Sequence, residues 1–595
     1  METPTFLYVI TFKCVVSIYI EKGFGEMKRT FYHKSVQIVI CLTILLLLCV
    51  PSQPAQAAAS AEKPVLVGLA YGSGAAPGGN LINEVGTGYR FGYLDEGRNF
   101  ISLGYTAQTS VSVVKTENVY YGGPLSNGYK GYSDQISSSV AVGCYHVLLT
   151  GSYGSFEEAA AAAEQIPNAF PAWINGVYQV RVGAYLDNAS AAAALASLGV
   201  EGAAVVGTSA YGVTVVKTGT SSVLFQFDGG QSCSLTLMPG LDDSVQTQTW
   251  FLGKKYFGGF QFQRVTGGNL TIASVISLTD YISCVISQEM ANSWPLEALK
   301  AQAVAARSYY ATNLGRHSAQ KIDICGTTHC QAYYGCSGAG ESTNQAARET
   351  AGEYLKHNGK VVEAYYYSSN GGASENSENV WSTNLPYLRG VVDPYEKDIA
   401  DQIPNYTWTR SFTGEQLRAK LSAAGYTRCG TIKSVTITKT PAGNVYSMTF
   451  LDVNGKSWTI SKDNCRIILG MNSLHFDFDG ASTGTPTQTT PSSTALYAID
   501  GDGKVSQITG SYYVLGEDGT VIQAGTAGES SEPEPTVPSG SGGTVTPADG
   551  VFRFRGSGLG HNVGMSQWGA YAMAKRGLTY RDILTFYYTG VSIGS

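Results

Sequence analysis

A helical pattern of apolar residues between Asp280 and Tyr310 is interrupted by one acidic side chain. Ile282, Val285, Ile286 and Glu289 stand at positions i, i+3, i+4 and i+7. In a helix these four side chains lie on one face, so the glutamate continues an apolar stripe instead of facing water. A carboxyl group at such a position needs a physical or chemical reason.

The flanking residues predict where this helix and the next one begin and end. The hydroxyl of Thr279 is expected to cap the first helix, which should end near Met290. A second helix should begin at Pro295, since proline is tolerated in a first turn. In this second helix Lys300 and Arg307 are seven residues apart and therefore share a face. The two cations and the acidic residue are predicted to form one cluster.

Two roles for Glu289 remain open on the pattern alone. Burial raises the pKa of a carboxyl group and a nearby cation lowers it again. A glutamate between these influences stays protonated near neutral pH and can donate a proton to a leaving oxygen, as glycosidic bond cleavage requires. The alternative is a structural ion pair with Lys300 and Arg307.

An alternating pattern interrupted by a repeat predicts an α+β protein with an inserted module. Residues 64–140 alternate apolar and polar positions between glycine-rich turns, as short antiparallel strands do, and the pattern resumes in 220–480. Between them, 141–219 contains two similar β-α-β halves, "YHVLLTGSYGSFEEAAAAAEQI" and "YQVRVGAYLDNASAAAALASLG". Two such halves predict a ferredoxin-like module of about 75 residues. The segment resembles a SPOR domain, a family that binds peptide-free glycan strands; the alternative is a generic α/β insertion used for packing.

A second insertion is predicted near the C-terminus. Residues 481–549 are rich in Pro, Ser, Thr and Gly around a small β-like patch, which is typical of linkers. The segments "SLHFDFDG" and "VFRFRGSGLG" on either side are expected to pair directly as strands. Residues 550–595 then complete the domain with a glycine-rich turn, a helix and a short terminal element.

The N-terminal region is typical of an exported protein. Residues 27–57 have a basic start, an apolar run from Val36 to Val50 and Ala55-Gln56-Ala57 at the distance of a signal-peptidase site, so residues 1–26 are interpreted as an upstream extension. The alternative, an uncleaved membrane anchor, is the one way in which a membrane is expected as a partner. The working part is predicted to be extracellular or in the cell wall.

Composition excludes one class of partner. The chain of 595 residues is 43% hydrophobic and 14% charged, with 71 glycines, 38 tyrosines and a net charge of -6. It carries no Lys/Arg-rich run, and nucleic acid is therefore not an expected partner.

Cysteine usage leaves two possibilities open. Eight of the 11 cysteines follow the predicted leader. "ICGTTHCQAYYGC" places Cys325, His329, Cys330 and Cys336 in one short segment, where three thiolates and one imidazole suit tetrahedral zinc. The spacing is not that of a standard zinc finger, and a disulfide is favoured in an exported chain. Any zinc is expected to be structural, and the predicted chemistry requires no cofactor.

Three separated motifs carry a resemblance to a known family. "VISQEMANSWPLEALKAQAVAARSYY", "YYYSSNGGASENSENVWSTNLPYLRGVVDPYE" and "GSGLGHNVGMSQWGA" together resemble the stage II sporulation protein D family, also called the SpoIID/LytB domain. The resemblance covers most of residues 64–140 and 220–595 and excludes the two insertions. Members are described as lytic transglycosylases that cut peptide-free peptidoglycan, and others as amidase enhancers.

The resemblance implies site residues. The family's catalytic glutamate falls on Glu289 and its important basic positions on Lys300 and Arg307. Two further segments are expected to bind substrate, although a turn between strands explains the first equally well: these are Ser368, Ser369, Asn370, Gly371 and Gly372 in one and His561, Ser566, Gln567 and Trp568 in the other.

The chain departs from the commoner family form at two positions. Leu559 stands where a tryptophan is usual and Asn562 where a glycine is usual. These changes put sugar stacking at that place in doubt.

Together these observations predict an exported α+β enzyme. It is expected to have a β-rich SpoIID-like catalytic domain with an inserted ferredoxin-like SPOR module, and to cleave MurNAc-GlcNAc bonds of peptide-free strands as a lytic transglycosylase. The expected partners are peptidoglycan glycan strands and a cell-wall amidase. The alternatives are a wall-binding protein that enhances an amidase without cleaving glycan, and a structural component of the spore envelope.

Overall fold

The structure of the protein is a computed structural model. It describes residues 63–124, 130–136, 140–241, 246–479, 496–499, 505–508, 510–515, 521–527 and 542–595. The predicted leader and upstream extension, 1–57, lie outside these residues. Among the helices of the described part, none combines the length and the apolar character that a membrane span requires.

The described residues form a mixed α+β fold with ten α-helices. The helices, in chain order, are α1 (Phe156–Glu164), α2 (Asn188–Leu198), α3 (Leu278–Glu289), α4 (Leu296–Thr312), α5 (Glu341–Glu349), α6 (Ser377–Val380), α7 (Gly414–Ala423), α8 (Asn464–Ile467), α9 (Gln567–Lys575) and α10 (Tyr580–Tyr587).

Strands outnumber helices throughout the described part. Up to the start of α3 they are β1 (Val65–Ala70), β2 (Gly78–Val85), β3 (Tyr89–Leu94), β4 (Phe100–Thr106), β5 (Ser110–Lys115), β6 (Val119–Pro124), β7 (Lys130–Ser133), β8 (Ala141–Val142), β9 (Tyr145–Leu148), β10 (Ala169–Ile174), β11 (Val177–Tyr185), β12 (Ala204–Val206), β13 (Val213–Lys217), β14 (Val223–Asp228), β15 (Leu235–Pro239), β16 (Gln248–Phe251), β17 (Lys254–Tyr256), β18 (Gly259–Gln263) and β19 (Thr271–Ile276).

The remaining strands follow α4. They are β20 (Ile324–Cys325), β21 (Tyr354–His357), β22 (Lys360–Val361), β23 (Tyr366–Tyr367), β24 (Thr407–Thr413), β25 (Ile432–Lys439), β26 (Val445–Asp452), β27 (Ser457–Ser461), β28 (Phe476–Phe478), β29 (Leu496–Ile499), β30 (Val505–Ile508), β31 (Gly510–Leu515), β32 (Val521–Ala527), β33 (Thr544–Val545), β34 (Val551–Ser557), β35 (Met565–Ser566) and β36 (Ser592–Gly594).

Two large sheets bring the segments on either side of the first insertion together. A seven-stranded sheet has the order β20-β1-β19-β18-β15-β3-β4, and a ten-stranded sheet has the order β12-β9-β11-β10-β14-β13-β5-β2-β16-β17. Strand β1 pairs antiparallel with β19, and β2 pairs antiparallel with β16. Strands from before residue 141 therefore pair with strands from after residue 219.

The inserted segment has the element order β9-α1-β10-β11-α2-β12 and shares the larger sheet. Its strands have the order β12-β9-β11-β10, and the last of these, β10, pairs in parallel with β14 of the main domain. A small separate apolar cluster, which includes Val147, Ala159 and Val180, fills the space beneath its helices. The segment is thus an extension of the main sheet and not a module on a free linker.

Helices α3 and α4 cross the main core. The apolar stripe of α3, Ile282, Val285 and Ile286, is completely buried. The helix is capped by Ser277, whose hydroxyl accepts a hydrogen bond from the backbone N–H of Asp280. The cap predicted at Thr279 is therefore wrong by two residues, since the helix already begins at Leu278. The predicted end near Met290 and the second helix after Pro295 are confirmed.

The strands on either side of the second insertion pair as expected. Strand β28 pairs antiparallel with β34, which also pairs with β24. Among the described residues of the inserted part, β29 pairs with β30 and β31 with β32, whereas β33 pairs with β25 of the main domain.

Candidate active site

Glu289 is the last residue of α3 and lines a pocket of about 300 Å³. Because the stripe that precedes it is buried, the same helix face carries its side chain into the protein, where it is half-buried. Burial raises the pKa of Glu289 above its ordinary value, and a hydrogen bond from Gln567 lowers it in part. A carboxyl group in this state can hold a proton and release it to a bound molecule.

The walls of the pocket are largely aromatic. The ring of Trp381 lies 4.5 Å from that of Tyr365 and 5.1 Å from that of His561, measured between centroids. Flat rings of this kind can pack against the apolar faces of sugars. The full lining is Glu289, Tyr309, Thr328, Cys330, Gln331, Ala332, Tyr365, Tyr366, Trp381 and His561.

Gln567 makes the direct contact with the carboxylate. Its side-chain Nε2 donates to Oε2 of Glu289 at 2.9 Å. Gln567 opens α9, whose N-cap is Ser566. Gln567 thus contacts the acidic residue, and Ser566 is completely buried. The substrate-binding role expected for both residues stays a prediction.

His561 lines the pocket as a neutral imidazole. Its Nδ1 accepts a hydrogen bond from the backbone N–H of Val563 at 3.2 Å, and its Nε2 lies 3.2 Å from the carbonyl oxygen of Tyr366. This arrangement fits a proton on Nε2. Burial lowers the pKa of His561 to about 4, so the ring is uncharged at neutral pH.

A short parallel pairing joins the two segments expected to bind substrate. Strand β23 pairs with β35. Just beyond it, the backbone N–H of Trp568 donates to the carbonyl oxygen of Ser368 at 3.0 Å. The ring of Trp568 packs against Trp294, with centroids 4.7 Å apart, and is not part of the pocket lining. A substrate-binding role for Trp568 and Ser368 stays a prediction.

The loop after β23 turns inward, toward a buried carboxylate. Ser369 is 1% exposed and Asn370 is 0% exposed. The backbone N–H of Asn370 donates to Oε1 of Glu396 at 2.8 Å, and that of Gly371 donates to Oε2 at 3.1 Å. Ser369, Asn370, Gly371 and Glu396 are not among the residues that line the pocket. Their hydrogen bonds hold the loop in place beside it.

The glycine pair in this loop has a steric reason. Gly371 and Gly372 have φ values of +74° and +134°, which side chains rarely adopt. A Cβ on Gly371 would lie 2.4 Å from the carbonyl oxygen of Ser557. The glycines let the loop pass close to β34.

Glu396 was missed in the sequence analysis. Its carboxylate is completely buried and also accepts a hydrogen bond from the hydroxyl of Ser566. Burial and the nearby charge of Asp393 raise the pKa of Glu396 to about 7. Asp393 itself accepts from the side-chain amide of Asn370 at 2.6 Å and from the hydroxyl of Tyr587 at 2.5 Å. Glu396 belongs to no apolar stripe, so no periodic signal marks it.

Lys300 is paired elsewhere. Its ammonium group lies 2.9 Å from Oε1 of Glu297 and 2.7 Å from Oε2 of Glu349. These contacts tie α4 to α5, and Lys300 is not among the residues that line the pocket. The predicted cluster of Lys300 with Glu289 does not form, because the ammonium group is occupied by two other carboxylates.

Arg307 is completely buried and acts on backbone carbonyls. Its guanidinium donates to the carbonyl oxygens of Thr350 at 2.7 Å, Ala347 at 3.1 Å and Glu353 at 3.3 Å. These oxygens belong to the end of α5 and the turn after it, where carbonyls have no partner within the helix. The contacts give Arg307 a structural role, and the role predicted for it beside Glu289 stays a prediction.

The two departures from the commoner family form have different consequences. Asn562 has φ of +62°, a conformation that favours glycine and that asparagine tolerates. Its side-chain amide donates to the carbonyl oxygens of Asn370 at 2.8 Å and Ala373 at 3.2 Å, so the substitution adds bonds to the same loop. Leu559 is 45% exposed and its backbone pairs with Ser369.

A group of metal-binding side chains adjoins the pocket through Cys330. One ligand atom from each of His317, Cys325, His329 and Cys330 lies within 4.8 Å of every other. The separations include 3.3 Å from His317 Nε2 to Cys330 Sγ and 3.7 Å from Cys325 Sγ to His329 Nδ1. Zinc at ordinary bond lengths in a tetrahedral site would set sulfur and nitrogen ligands roughly 3.6 Å apart. The donor set and its spacing fit zinc.

Cys336 is not part of this group. It is buried, and its backbone N–H donates to the carbonyl oxygen of Lys255 at 2.7 Å. His317 takes the fourth place; it stands eight residues before Cys325, and no sequence spacing pointed to it. All eight cysteines in the described residues are free, so the favoured disulfide is not observed.

Comparison with known proteins supports one family for this region. Residues 266–357, which contain Glu289, match the SpoIID family model, described as "Stage II sporulation protein". The chain is 34% identical over 319 residues to the amidase enhancer of Bacillus subtilis, 52% of this chain and 40% of that protein. It therefore spans less than half the length of that relative.

Two further relatives are covered more fully. Stage II sporulation protein D of Bacillus subtilis is 27% identical over 335 residues, 53% of this chain and 74% of the relative. The protein of the same name from Bacillus amyloliquefaciens gives the same values. These similarities support the stage II sporulation protein D family for residues 266–357, the part of the chain that contains Glu289.

Proposed function

We propose that the protein is an exported lytic transglycosylase that cleaves peptide-free glycan strands of peptidoglycan. One observation carries the proposal: a half-buried carboxyl group, Glu289, has a raised pKa and lines an aromatic pocket. The relatives named for sporulation and for amidase enhancement agree with a role in the cell wall.

The proposed reaction needs one carboxyl group in two successive roles. Glu289 donates its proton to the glycosidic oxygen as the bond from C1 breaks. The carboxylate then accepts the proton of the C6 hydroxyl while the C6 oxygen bonds to C1, and a 1,6-anhydro end results. No water is consumed, and the proton that Glu289 releases is replaced by the one it accepts.

The composition of the pocket supports a mechanism without a second acid. Among the described residues that line it, Glu289 is the only carboxylate. Hydrolases that use water employ two carboxyl groups at a fixed separation across the bond. Trp381, Tyr365 and His561 provide ring faces on which a sugar can pack, and the neutral His561 adds no charge that would compete for the proton.

The inserted segment 141–219 is proposed to be a ferredoxin-like, SPOR-like module that binds glycan. Its element order, β-α-β-β-α-β, and its strand order β12-β9-β11-β10 support this proposal. Since β10 pairs with β14 of the main domain in the same sheet, a glycan strand bound to the module would lie at a fixed position relative to the catalytic domain.

The test is to incubate the protein with amidase-treated glycan and to measure product masses. The proposed reaction gives anhydro ends, which are lighter by one water than the products of hydrolysis. Products that carry an added water would contradict the transglycosylase mechanism.

The similarity to an amidase enhancer favours a second candidate, a wall-binding protein that stimulates an amidase without cleaving glycan. Glu289→Gln separates the two. If the variant binds glycan and stimulates an amidase as well as the wild type, and neither protein releases product, the second candidate is correct.

A structural zinc ion held by His317, Cys325, His329 and Cys330 is part of the proposal. The metal would fix the wall of the pocket that includes Cys330, and no step of the reaction passes through it. Folded protein is expected to contain about one zinc per chain. Cys325→Ser should lose the metal, whereas Cys336→Ser should keep it. Equal zinc content in both variants would contradict this ligand set.

A further inference from the structure

Two neighbouring residues at the start of α9, Ser566 and Gln567, connect the buried Glu396 to the acid at the pocket. The Glu396 carboxylate accepts from the hydroxyl of Ser566. The oxygen of that hydroxyl accepts the backbone N–H of Gly569 at 3.1 Å and so caps α9. Gln567, the first residue of α9, then donates to Glu289 at 2.9 Å. These contacts link two carboxyl groups, those of Glu396 and Glu289, that are far apart in sequence.

Glu396 holds both segments that frame this connection. Besides Ser566, it accepts the backbone N–H groups of Asn370 and Gly371 at 2.8 and 3.1 Å. The Ser566 hydroxyl has one proton, and its oxygen accepts from Gly569. Glu396 is a much closer acceptor for this proton than the carbonyl oxygen of Ser368 at 3.4 Å, so the proton is assigned to the carboxylate. Each of the two Glu396 oxygens therefore accepts at least one of these donors.

We infer that Glu396 is a positioning residue for the proposed reaction: by binding Ser566 and the loop at Asn370, it fixes the start of α9 so that Gln567 meets Glu289 in one geometry. This inference rests on the proposed function of Glu289. Glu396 itself is completely buried and does not touch the pocket.

Glutamine at position 396 would break the arrangement while keeping its shape. If its amide nitrogen replaced Oε1, it would face the N–H of Asn370 and the proton of Ser566. If it replaced Oε2, it would face the N–H of Gly371. In either orientation one donor opposes another, and an unmet buried donor displaces the groups around it.

Glu375 offers a matched control. It is also a buried carboxylate, at 2% exposure, and accepts from the side chains of Asn444 at 3.0 Å and Asn379 at 2.8 Å. The hydrogen bonds of its carboxylate, which also accepts from the hydroxyl of Thr440, do not lead to Ser566. Glu375→Gln therefore reports the cost of disturbing a buried carboxylate in this region without the connection to Glu289.

The kinetic test is a double-mutant cycle on the full chain with peptide-free glycan. Glu396→Gln and Gln567→Ala are each expected to lower kcat about tenfold with KM within about twofold. The double variant should be no slower than the slower single variant, because both remove the same contact. Glu375→Gln should keep kcat within about twofold. Multiplying losses, or an equal loss in Glu375→Gln, would overturn the inference.

A second measurement needs no activity. The side-chain amide signal of Gln567 in an NMR spectrum is assigned by its change in Glu289→Gln, and it should move in Glu396→Gln but not in Glu375→Gln. An unmoved signal in Glu396→Gln overturns the inference even if the wild type cleaves glycan. If the wild type releases no product, the proposed function fails while this measurement still decides the role of Glu396.

Ser566 provides the test if Glu396→Gln does not fold. Ser566→Ala should move the Gln567 signal, and Ser566→Thr, which keeps the hydroxyl, should leave it near its wild-type position. A signal that is the same in both variants would overturn the inference.

Discussion

Two glutamates in this protein have a raised pKa for the same main reason, burial, yet their surroundings differ. Glu289 is half-buried, has one side-chain donor, Gln567, and opens onto a pocket. Glu396 is completely buried and is bound by Ser566 and two backbone N–H groups. A raised pKa alone therefore does not identify a catalytic acid. Access to a bound molecule and an incomplete set of hydrogen bonds separate the two.

The largest expected effect is loss of the proton donor. Glu289→Gln keeps the size of the side chain but has no proton to donate at neutral pH, so glycan cleavage should fall about 1000-fold. The rate of release of anhydro products measures it. Binding of glycan should persist, since the aromatic walls are unchanged.

Glu341→Gln is the control for this substitution. Glu341 is exposed on α5 and pairs only loosely with Arg348, at 3.3 Å. Its rate should match the wild type. Cleavage by Glu289→Gln at near the wild-type rate would place the acid elsewhere and remove the distinction between the two glutamates.

The next effect concerns Arg307, which tests whether the cations near Glu289 in sequence are catalytic or structural. Arg307→Lys keeps the charge but cannot reach the three carbonyl oxygens that the guanidinium binds. The free energy of unfolding should fall by about 3 kcal/mol, because buried carbonyls lose their donor. Urea unfolding measures the change. A stable Arg307→Lys with no activity would instead support the catalytic role that the sequence predicted.

A pH series tests the buried state of Glu396. Its pKa rises from 4.5 to about 7 on folding, so between these values the native state binds the proton more tightly than the unfolded chain. The contribution of Glu396 to stability is therefore complete below about pH 4.5 and is lost as pH rises toward 7. Relative to wild type, Glu396→Gln should gain roughly 3 kcal/mol in unfolding free energy across this window. A constant difference between the two proteins, by urea unfolding from pH 4.5 to 8, would contradict the raised pKa.

Sequence periodicity predicted those elements whose apolar faces are regular. The helix ending near Met290 and the helix after Pro295 were predicted because a buried stripe repeats every three or four residues. The pairing of β28 with β34 was predicted from the linker composition between them. The pairing of β10 with β14 was not predicted, since the residue pattern of one strand does not show which strand lies next to it in a sheet.

The site was predicted where an unusual residue stood in a regular pattern and missed where the signal depended on distance in space. Glu289 interrupts an apolar stripe and was found. Glu396 and His317 belong to no sequence pattern. Only the fold brings Glu396 next to Ser566 and His317 next to Cys325 and Cys330. Glu349, one of the two partners of Lys300, was also not predicted, because it lies on another helix.

The smallest effect is expected for Lys300, and it sharpens the comparison by asking whether any cation supports the acid. Its two ion pairs involve partners that are 31% and 42% exposed, so solvent screens them and Lys300→Met should cost only about 0.5 to 1 kcal/mol of stability. Since the ammonium group does not line the pocket, kcat/KM should stay within about twofold of the wild type. Thermal unfolding and glycan cleavage measure the two quantities, with Glu349→Gln as the control that removes one ion pair and keeps the lysine. A large loss of kcat/KM in Lys300→Met but not in Glu349→Gln would show that the cation acts on the substrate or on Glu289, and the pocket would then have to include it when glycan is bound.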